Sequence, residues 1–190
     1  PWNWLIGGGV VVLFFLCIPF VLGPLLVFCT LRFRMPPKVV VIDPKTHPLP
    51  NEVRQYFHEA YLALTRDGFE LVQTMFLPDV VPNVQTLLAL YVNRPTSDMA
   101  MSSFLLANDG VQSMKANYVE FLTTFSDGVA VQTNNSRELS SFKPLPNEHT
   151  TQFWEIADIH RLYCLHGFLA AKYGRTGPRE CRLDTQFGGN

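Results

Sequence analysis

The sequence predicts an α+β fold, with an N-terminal single transmembrane helix followed by an antiparallel β-meander sheet of about five strands flanked by two helices. Three observations predict it. Residues 1–31 carry no charged side chain. Two segments with helical apolar spacing lie on either side of a run of extended segments. The connections between those extended segments are too short for parallel crossovers, so neighbouring strands should be antiparallel.

The composition excludes several classes of protein. The chain has 190 residues, of which 47% are hydrophobic and 13% aromatic, which suffices for a core and excludes a disordered chain. The 15 basic and 16 acidic side chains give a net charge of −1. No basic excess is therefore available for a phosphate backbone, and nucleic acid is not an expected partner.

The charge-free segment predicts a membrane anchor. Residues 4–31 are predominantly apolar and carry no charge, and a helix needs only about 20 such residues to cross a hydrocarbon core. Trp2 and Trp4 lie at one end, where aromatic rings favour the headgroup region, and Arg32 and Arg34 follow the other end. Small residues inside the segment permit close helix packing: Gly7, Gly8, Gly9 and Gly23.

Two other interpretations of this segment fit less well. A secretory signal peptide has a basic start, a shorter apolar region and a small-residue cleavage site, and the segment has none of these features. A buried helix of a soluble protein has a polar face, which is also missing. Because Arg32, Arg34 and Lys38 follow the span and no cation precedes it, we expect the N-terminus outside and the larger domain in the cytoplasm.

The chain divides into four parts by composition. We expect a transmembrane anchor at 1–34, a Pro-rich linker with a short strand at 35–48, an α+β domain at 49–174 and an extended tail at 175–190. The short strand is the β-branched run Lys38–Ile42, which follows two prolines.

A first helix is expected from Asn51 to Asp67. Asn51 is a plausible N-cap, Gly68 can close the helix, and apolar residues recur at helical spacing between them.

Five extended segments follow this helix, with short Pro, Gly, Asn and Asp punctuation between them. Asp127-Gly128 is the clearest two-residue hairpin turn. The second segment is apolar on both alternating faces, so we expect it to be a central strand covered on both sides. The five segments are 69–77, 84–93, 99–107, 118–125 and 129–133.

A second helix is expected from Asn147 to Tyr173, ending before Gly174. Its apolar stripe is wider than one small sheet needs, which suggests a second contact surface. The sequence Pro-Leu-Pro-Asn-Glu precedes both expected helices, at Pro48–Glu52 and Pro144–Glu148. The repeated sequence reflects either an internal duplication or, as we favour, a common way to begin a helix.

The best candidate for a metal site or a nucleophile is the pair His160 and Cys164, which lie four residues apart on the second helix. They form a weak candidate metal site, because no CxxC or HExxH motif supplies further ligands. The alternative is a satisfied His160 and a Cys164 that is a small core residue. His58 and Glu59 fit a solvated helix face better than acid/base chemistry. No phosphate-binding or nucleophile-elbow motif occurs, and no catalytic residue or cofactor is expected.

Polar side chains on the last hairpin are candidates for partner binding, either to a polar ligand or to the edge strand of another protein. The basic tail adds further candidates. Together these residues are Thr124, Gln132, Asn134, Arg175, Arg179 and Arg182.

These features favour a single-pass accessory subunit of a larger membrane complex, such as a respiratory or photosynthetic bioenergetic complex, whose α+β domain braces cytoplasmic surfaces of its partners. The expected partners are other membrane proteins and membrane lipids. A membrane-tethered module that binds a lipid or apolar small molecule in a helix-grip-like cavity is the first alternative, and this is an analogy at the level of fold. A membrane-tethered enzyme of unknown reaction is the second.

Overall fold

A computed structural model describes residues 39–42, 49–81, 84–108, 113–137, 145–174 and 179–180, and the single positions 20, 22 and 25. These residues form an α+β fold, as expected. The elements in chain order are β1 (Val40–Val41), α1 (Asn51–Arg66), β2 (Glu70–Val81), β3 (Val84–Asn93), β4 (Asp98–Asn108), β5 (Ser113–Phe125), β6 (Ala130–Asn134), β7 (Glu148–Gln152), α2 (Ile159–Tyr173) and β8 (Arg179–Glu180).

The strands form one sheet in the order β1-β2-β3-β4-β5-β6-β7, and β8 pairs with β5 beside this path. The meander from β1 to β6 is antiparallel throughout, as its short connections predicted. The count of about five strands was too low, because β7 and β8 lie in segments without an alternating apolar pattern. Gly128 has a φ of +81°, which explains why the predicted turn needs glycine there.

Both helices pack on one face of the sheet. The central core cluster contains Leu64 of α1, Tyr91 of β3, Phe121 of β5 and Leu162 of α2, each at most 1% exposed. A second cluster joins Val53 of α1 to the sheet. Burying such side chains contributes about 1.5–3 kcal/mol each, so this face holds the sheet and helices together.

Residues 147–158 differ from the expected helix. Glu148–Gln152 form β7, which pairs in parallel with β6, and α2 begins only after Asp158, whose side chain accepts a hydrogen bond from the Arg161 amide at 2.7 Å. Phe153 and Ile156, which suggested a helix, pack on the core from the intervening turn instead. Sequence spacing alone does not distinguish these arrangements.

The repeated Pro-Leu-Pro-Asn-Glu sequence precedes a helix in one copy only. The first copy leads into α1, whose N-cap is Pro50 rather than Asn51. The second leads into β7. The favoured interpretation, that this sequence is a common way to begin a helix, therefore holds for the first copy and is wrong for the second.

The predicted anchor lies outside the described residues, apart from positions 20, 22 and 25. Within the described part of the chain, no helix has the length and apolar character needed to cross a bilayer.

Candidate functional site

A polar cluster is buried between the sheet and α2. The Thr123 hydroxyl donates a hydrogen bond to Asp98 Oδ1 at 2.5 Å, and Thr123 Oγ1 lies 2.8 Å from His166 Nε2. His166 Nδ1 lies 3.0 Å from Thr133 Oγ1. Thr123, Thr133 and His166 have no exposed surface, and Asp98 is 2% exposed. Buried polar groups are stable only when hydrogen-bonded, so these four residues act as a unit.

The directions of these hydrogen bonds follow from the number of protons available. Thr123 gives its only hydroxyl proton to Asp98, so its oxygen accepts from Nε2–H of His166. In a neutral His166, Nδ1 then accepts from the Thr133 hydroxyl. The cluster is therefore an ordered chain of donors that ends on the Asp98 carboxylate.

Tyr163 of α2 extends this chain to the end of α1. Its hydroxyl donates to Asp98 Oδ2 at 3.0 Å, and Asn93 Nδ2 lies 3.4 Å from the same hydroxyl oxygen. Asn93 Nδ2 also donates to the Asp67 carbonyl at 3.1 Å. The ring of Tyr163 packs against Phe69 and Phe121 with centroid distances of 5.0 and 5.1 Å. Hydrogen bonds and ring contacts thus fill this part of the interface.

The predicted pair on α2 lies on the surface. Cys164 Sγ is 3.7 Å from His160 Nε2, and His160 Nδ1 is 2.7 Å from Asp67 Oδ1 at the end of α1. Cys164 is exposed, so the expectation that it is a small core residue was wrong. Leu162 and His166 of α2 are buried against the sheet, and Cys164, two residues from each, lies on the opposite side of the helix and faces solvent.

Asp67 was missed by the sequence analysis because it is 93 residues from His160. No spacing motif joins residues so far apart. Among the described residues, no group of three or more His, Cys, Asp or Glu side chains has the arrangement of a metal site. The structure thus places a hydrogen-bonded series of thiol, imidazole and carboxylate where the sequence suggested a weak metal site.

The face of the sheet away from the helices carries a different set of side chains. Leu90, Met101 and Glu120 are neighbours in one cross-strand row. The half-buried apolar side chains of this face belong to none of the three core clusters, and no described helix packs on them. We call this surface the second face and define it by Leu88, Leu90, Met99, Met101, Glu120, Leu122, Gln132 and Thr150. On this face of β3, Leu88 and Leu90 are half-buried and Val92 is 1% exposed, so the expectation that β3 is covered on both sides stays a prediction.

The partner-binding candidates of the last hairpin lie on this side of the sheet. Gln132 is half-buried and accepts a hydrogen bond from the Thr150 hydroxyl at 3.0 Å. Thr124 and Asn134 are only 6% and 5% exposed. β6 is not an edge strand, because β7 pairs with it on the side away from β5. The edge at which we expected another protein to pair is thus occupied by β7.

Burial changes the ionisation of several groups in the domain. It raises the pKa of Glu120 above its ordinary value of 4.5, while a hydrogen bond from Gln132 acts in the opposite direction. Burial likewise raises the pKa of Tyr56, Tyr91 and Tyr118. Tyr56 donates a 2.7 Å hydrogen bond to the Tyr118 carbonyl, so it joins α1 to β5.

The other site residues that the sequence predicted are those of the anchor and the tail. Arg179 lies in β8, which pairs with the end of β5. The remaining positions lie outside the described residues: Trp2, Trp4, Gly7, Gly8, Gly9, Gly23, Arg32, Arg34, Arg175 and Arg182.

Comparison with known proteins gives no relative from which a function can be transferred. No family model, curated protein or solved structure matches the chain.

Proposed function

We propose that this protein is a single-pass accessory subunit of a larger membrane complex, and that its α+β domain binds a partner protein through the second face. The observation that carries the proposal is the block of apolar side chains on that face, outside all three core clusters. Leu90, Met101 and Leu122 come from three adjacent strands, so the block is continuous across them. Contiguous apolar surface of this kind is typical of protein interfaces.

The polarity of the second face gives the partner its expected chemistry. Apolar side chains from β3, β4 and β5 form one half, and the other half carries Glu120, Gln132 and Thr150. An interface commonly has an apolar centre and a polar rim. We therefore expect a partner surface with an apolar centre and hydrogen-bond donors toward β6 and β7.

The anchor part of the proposal rests on the uncharged segment 1–31. Phe20, Leu22 and Leu25, the described positions inside it, are 75%, 52% and 54% exposed, which suits contact with lipid or with another membrane helix. The cations after the segment favour a cytoplasmic domain and an N-terminus on the opposite side. Membrane lipids and other membrane proteins are the partners this arrangement requires.

The packing between α2 and the sheet argues against the ligand-binding alternative. Phe121, Leu162 and His166 are fully buried there, and the rings of Phe121 and His166 stack at 5.7 Å. These side chains are in contact with one another and with the core cluster of the sheet. A helix-grip-like ligand site needs an enclosed cavity at this position.

The test is to purify the tagged full chain from native membranes in mild detergent and measure the complex on a native gel and by mass spectrometry. We expect partner proteins in fixed stoichiometry with the wild-type chain. Leu122→Lys should abolish this association, because it places a charge within the apolar half of the second face. Deleting residues 1–31 should release the protein from the membrane fraction.

The matched control is Leu62→Lys. Leu62 lies on the outer surface of α1 and is 55% exposed, so this change adds the same charge away from the second face. It should leave the complex intact. A wild-type chain that migrates as a single protein, or equal loss of partners in both variants, would contradict the proposal. Circular dichroism establishes that both variants fold.

A further inference from the structure

The surface series Cys164, His160 and Asp67 has the geometry of an activated nucleophile. His160 Nδ1 lies 2.7 Å from Asp67 Oδ1, and a carboxylate accepts only, so Nδ1 carries the proton. Nε2 of the neutral ring is then free to accept, and it lies 3.7 Å from Cys164 Sγ. A base that is held by a third group and contacts a thiol is the general arrangement for nucleophilic catalysis.

The burial of Asp67 shows that the series is more than a surface ion pair. Its side chain is 6% exposed, whereas that of His160 is 54% exposed. Asp67 Oδ2 is buried and has no hydrogen-bond partner. Leaving a buried carboxylate oxygen unpaired has a cost, and this carboxylate is directed at His160. Asp67 therefore positions the imidazole from a largely buried site.

The surroundings of Cys164 leave room for a substrate with an apolar group. A Cβ built at Gly167 would meet no atom within 4 Å, so the space beside Cys164 on the helix is open. Phe168 follows Cys164 by one turn and is 67% exposed. Helical side chains lean toward the N-terminus, so we expect the ring of Phe168 to point toward the turn that contains Cys164. An apolar chain can rest on this ring while its carbonyl group meets the thiol.

We propose that Cys164 accepts an acyl group from a thioester with an apolar acyl chain, with His160 as the base and Asp67 as a positioning residue. The thiol proton passes from Sγ to His160 Nε2. Sγ forms a bond to the carbonyl carbon, the bond from that carbon to the sulfur of the donor breaks, and the leaving thiolate takes the proton from His160. The step yields an acyl-Cys164 thioester and a free thiol, with no change of oxidation state.

The test uses the full chain in detergent, with Cys17, Cys29 and Cys181 replaced by Ser so that Cys164 is the only thiol. The probe is the hexanoyl thioester of N-acetylcysteamine, and the readout is the mass gain per chain over time at pH 7. We expect one hexanoyl group, on Cys164. The rate should fall roughly 100-fold in His160→Gln, because general-base assistance typically contributes 10²–10⁴-fold.

His58→Gln is the matched control, because His58 is an exposed histidine on α1. It should leave the acylation rate unchanged. Asp67→Asn should lower the acylation rate by a smaller factor than His160→Gln. It should also change how the acylation rate depends on pH. If Asp67 only supported the fold, the pH dependence would not change. Phe168→Ala should slow transfer from the hexanoyl thioester more than from the acetyl thioester.

Two results would overturn the proposal. One is acylation of Cys164 no faster than that of N-acetylcysteine under the same conditions. The other is an equal rate in the His160→Gln variant. Neither result bears on the second face, and Leu122→Lys should leave acylation unchanged while Cys164→Ser should leave the membrane complex intact. The two proposals can therefore fail separately.

Discussion

His166 Nε2 lies 2.8 Å from Thr123 Oγ1, and neither side chain has any exposed surface. This contact joins α2 to β5 at the centre of the domain. Because Thr123 also donates to Asp98, a single hydroxyl holds a helix, a strand end and a buried carboxylate in one arrangement.

Thr123→Val should therefore destabilise the fold strongly. The change keeps the side-chain shape but removes the buried hydrogen bond that Asp98 Oδ1 accepts and the one that His166 Nε2 makes, at a cost of about 2–4 kcal/mol in the free energy of unfolding. Denaturant unfolding followed by tryptophan fluorescence measures this. Thr124→Val is the control, since Thr124 is the next residue of β5 and points to the opposite face. If Thr123→Val lowered the free energy of unfolding no more than Thr124→Val does, the buried polar cluster would contribute little to stability.

Tyr163→Phe should lower the free energy of unfolding by a smaller amount, about 1–2 kcal/mol. The variant keeps the ring contacts with Phe69 and Phe121 but removes the hydroxyl that donates to Asp98. Tyr163→Leu, which also removes the ring, should cost clearly more. Equal losses in the two variants would assign the effect to the hydroxyl alone, and no loss in Tyr163→Phe would contradict the prediction.

Gly174→Ala and Gly167→Ala should have opposite effects on stability. A Cβ at Gly174 would overlap the Phe125 ring and the Ala170 carbonyl, whereas a Cβ at Gly167 meets open space. Gly167→Ala should raise the free energy of unfolding by about 0.5–1 kcal/mol, because alanine is the better helix former. Gly174→Ala should lower the melting temperature. A rise in both variants would mean that the chain after α2 adjusts freely.

Glu120→Gln should change how stability depends on pH. Burial raises the pKa of Glu120 in the folded chain above 4.5, so the folded state holds this proton more tightly than the unfolded state. The resulting contribution to the free energy of unfolding is fully present below the pKa that Glu120 has in the unfolded chain. It is lost as the pH rises through the pKa that Glu120 has in the folded chain. Glu120→Gln should remove this decline and be more stable than wild type at pH 7.

Unfolding midpoints measured from pH 4 to pH 8 test this prediction. Glu155→Gln is the control, because Glu155 is exposed in the turn before α2. Its midpoints should follow those of the wild-type chain. If the unfolding midpoints of Glu120→Gln changed with pH in parallel with those of the wild-type chain from pH 4 to pH 8, a raised pKa of Glu120 would be contradicted.

The sequence was informative wherever structure depends on near neighbours. The span of α1 and the hairpin turn at Asp127-Gly128 follow from local spacing and turn chemistry. β7 could not be predicted, since its parallel partner is fixed only when the chain has returned across the sheet. Asp67 meets His160, and Asp98 meets Thr123, only through the register of the folded elements.

The central position of β5 has a consequence for the order in which the chain folds. β5 pairs with β4 and β6 through antiparallel ladders and with β8 at its end. The hairpins of the meander close short loops, whereas α2 and β7 dock only after a longer return of the chain. Amide protons of β3, β4 and β5 should therefore exchange with deuterium only through global unfolding, while those of β7 exchange through smaller openings that release α2 first.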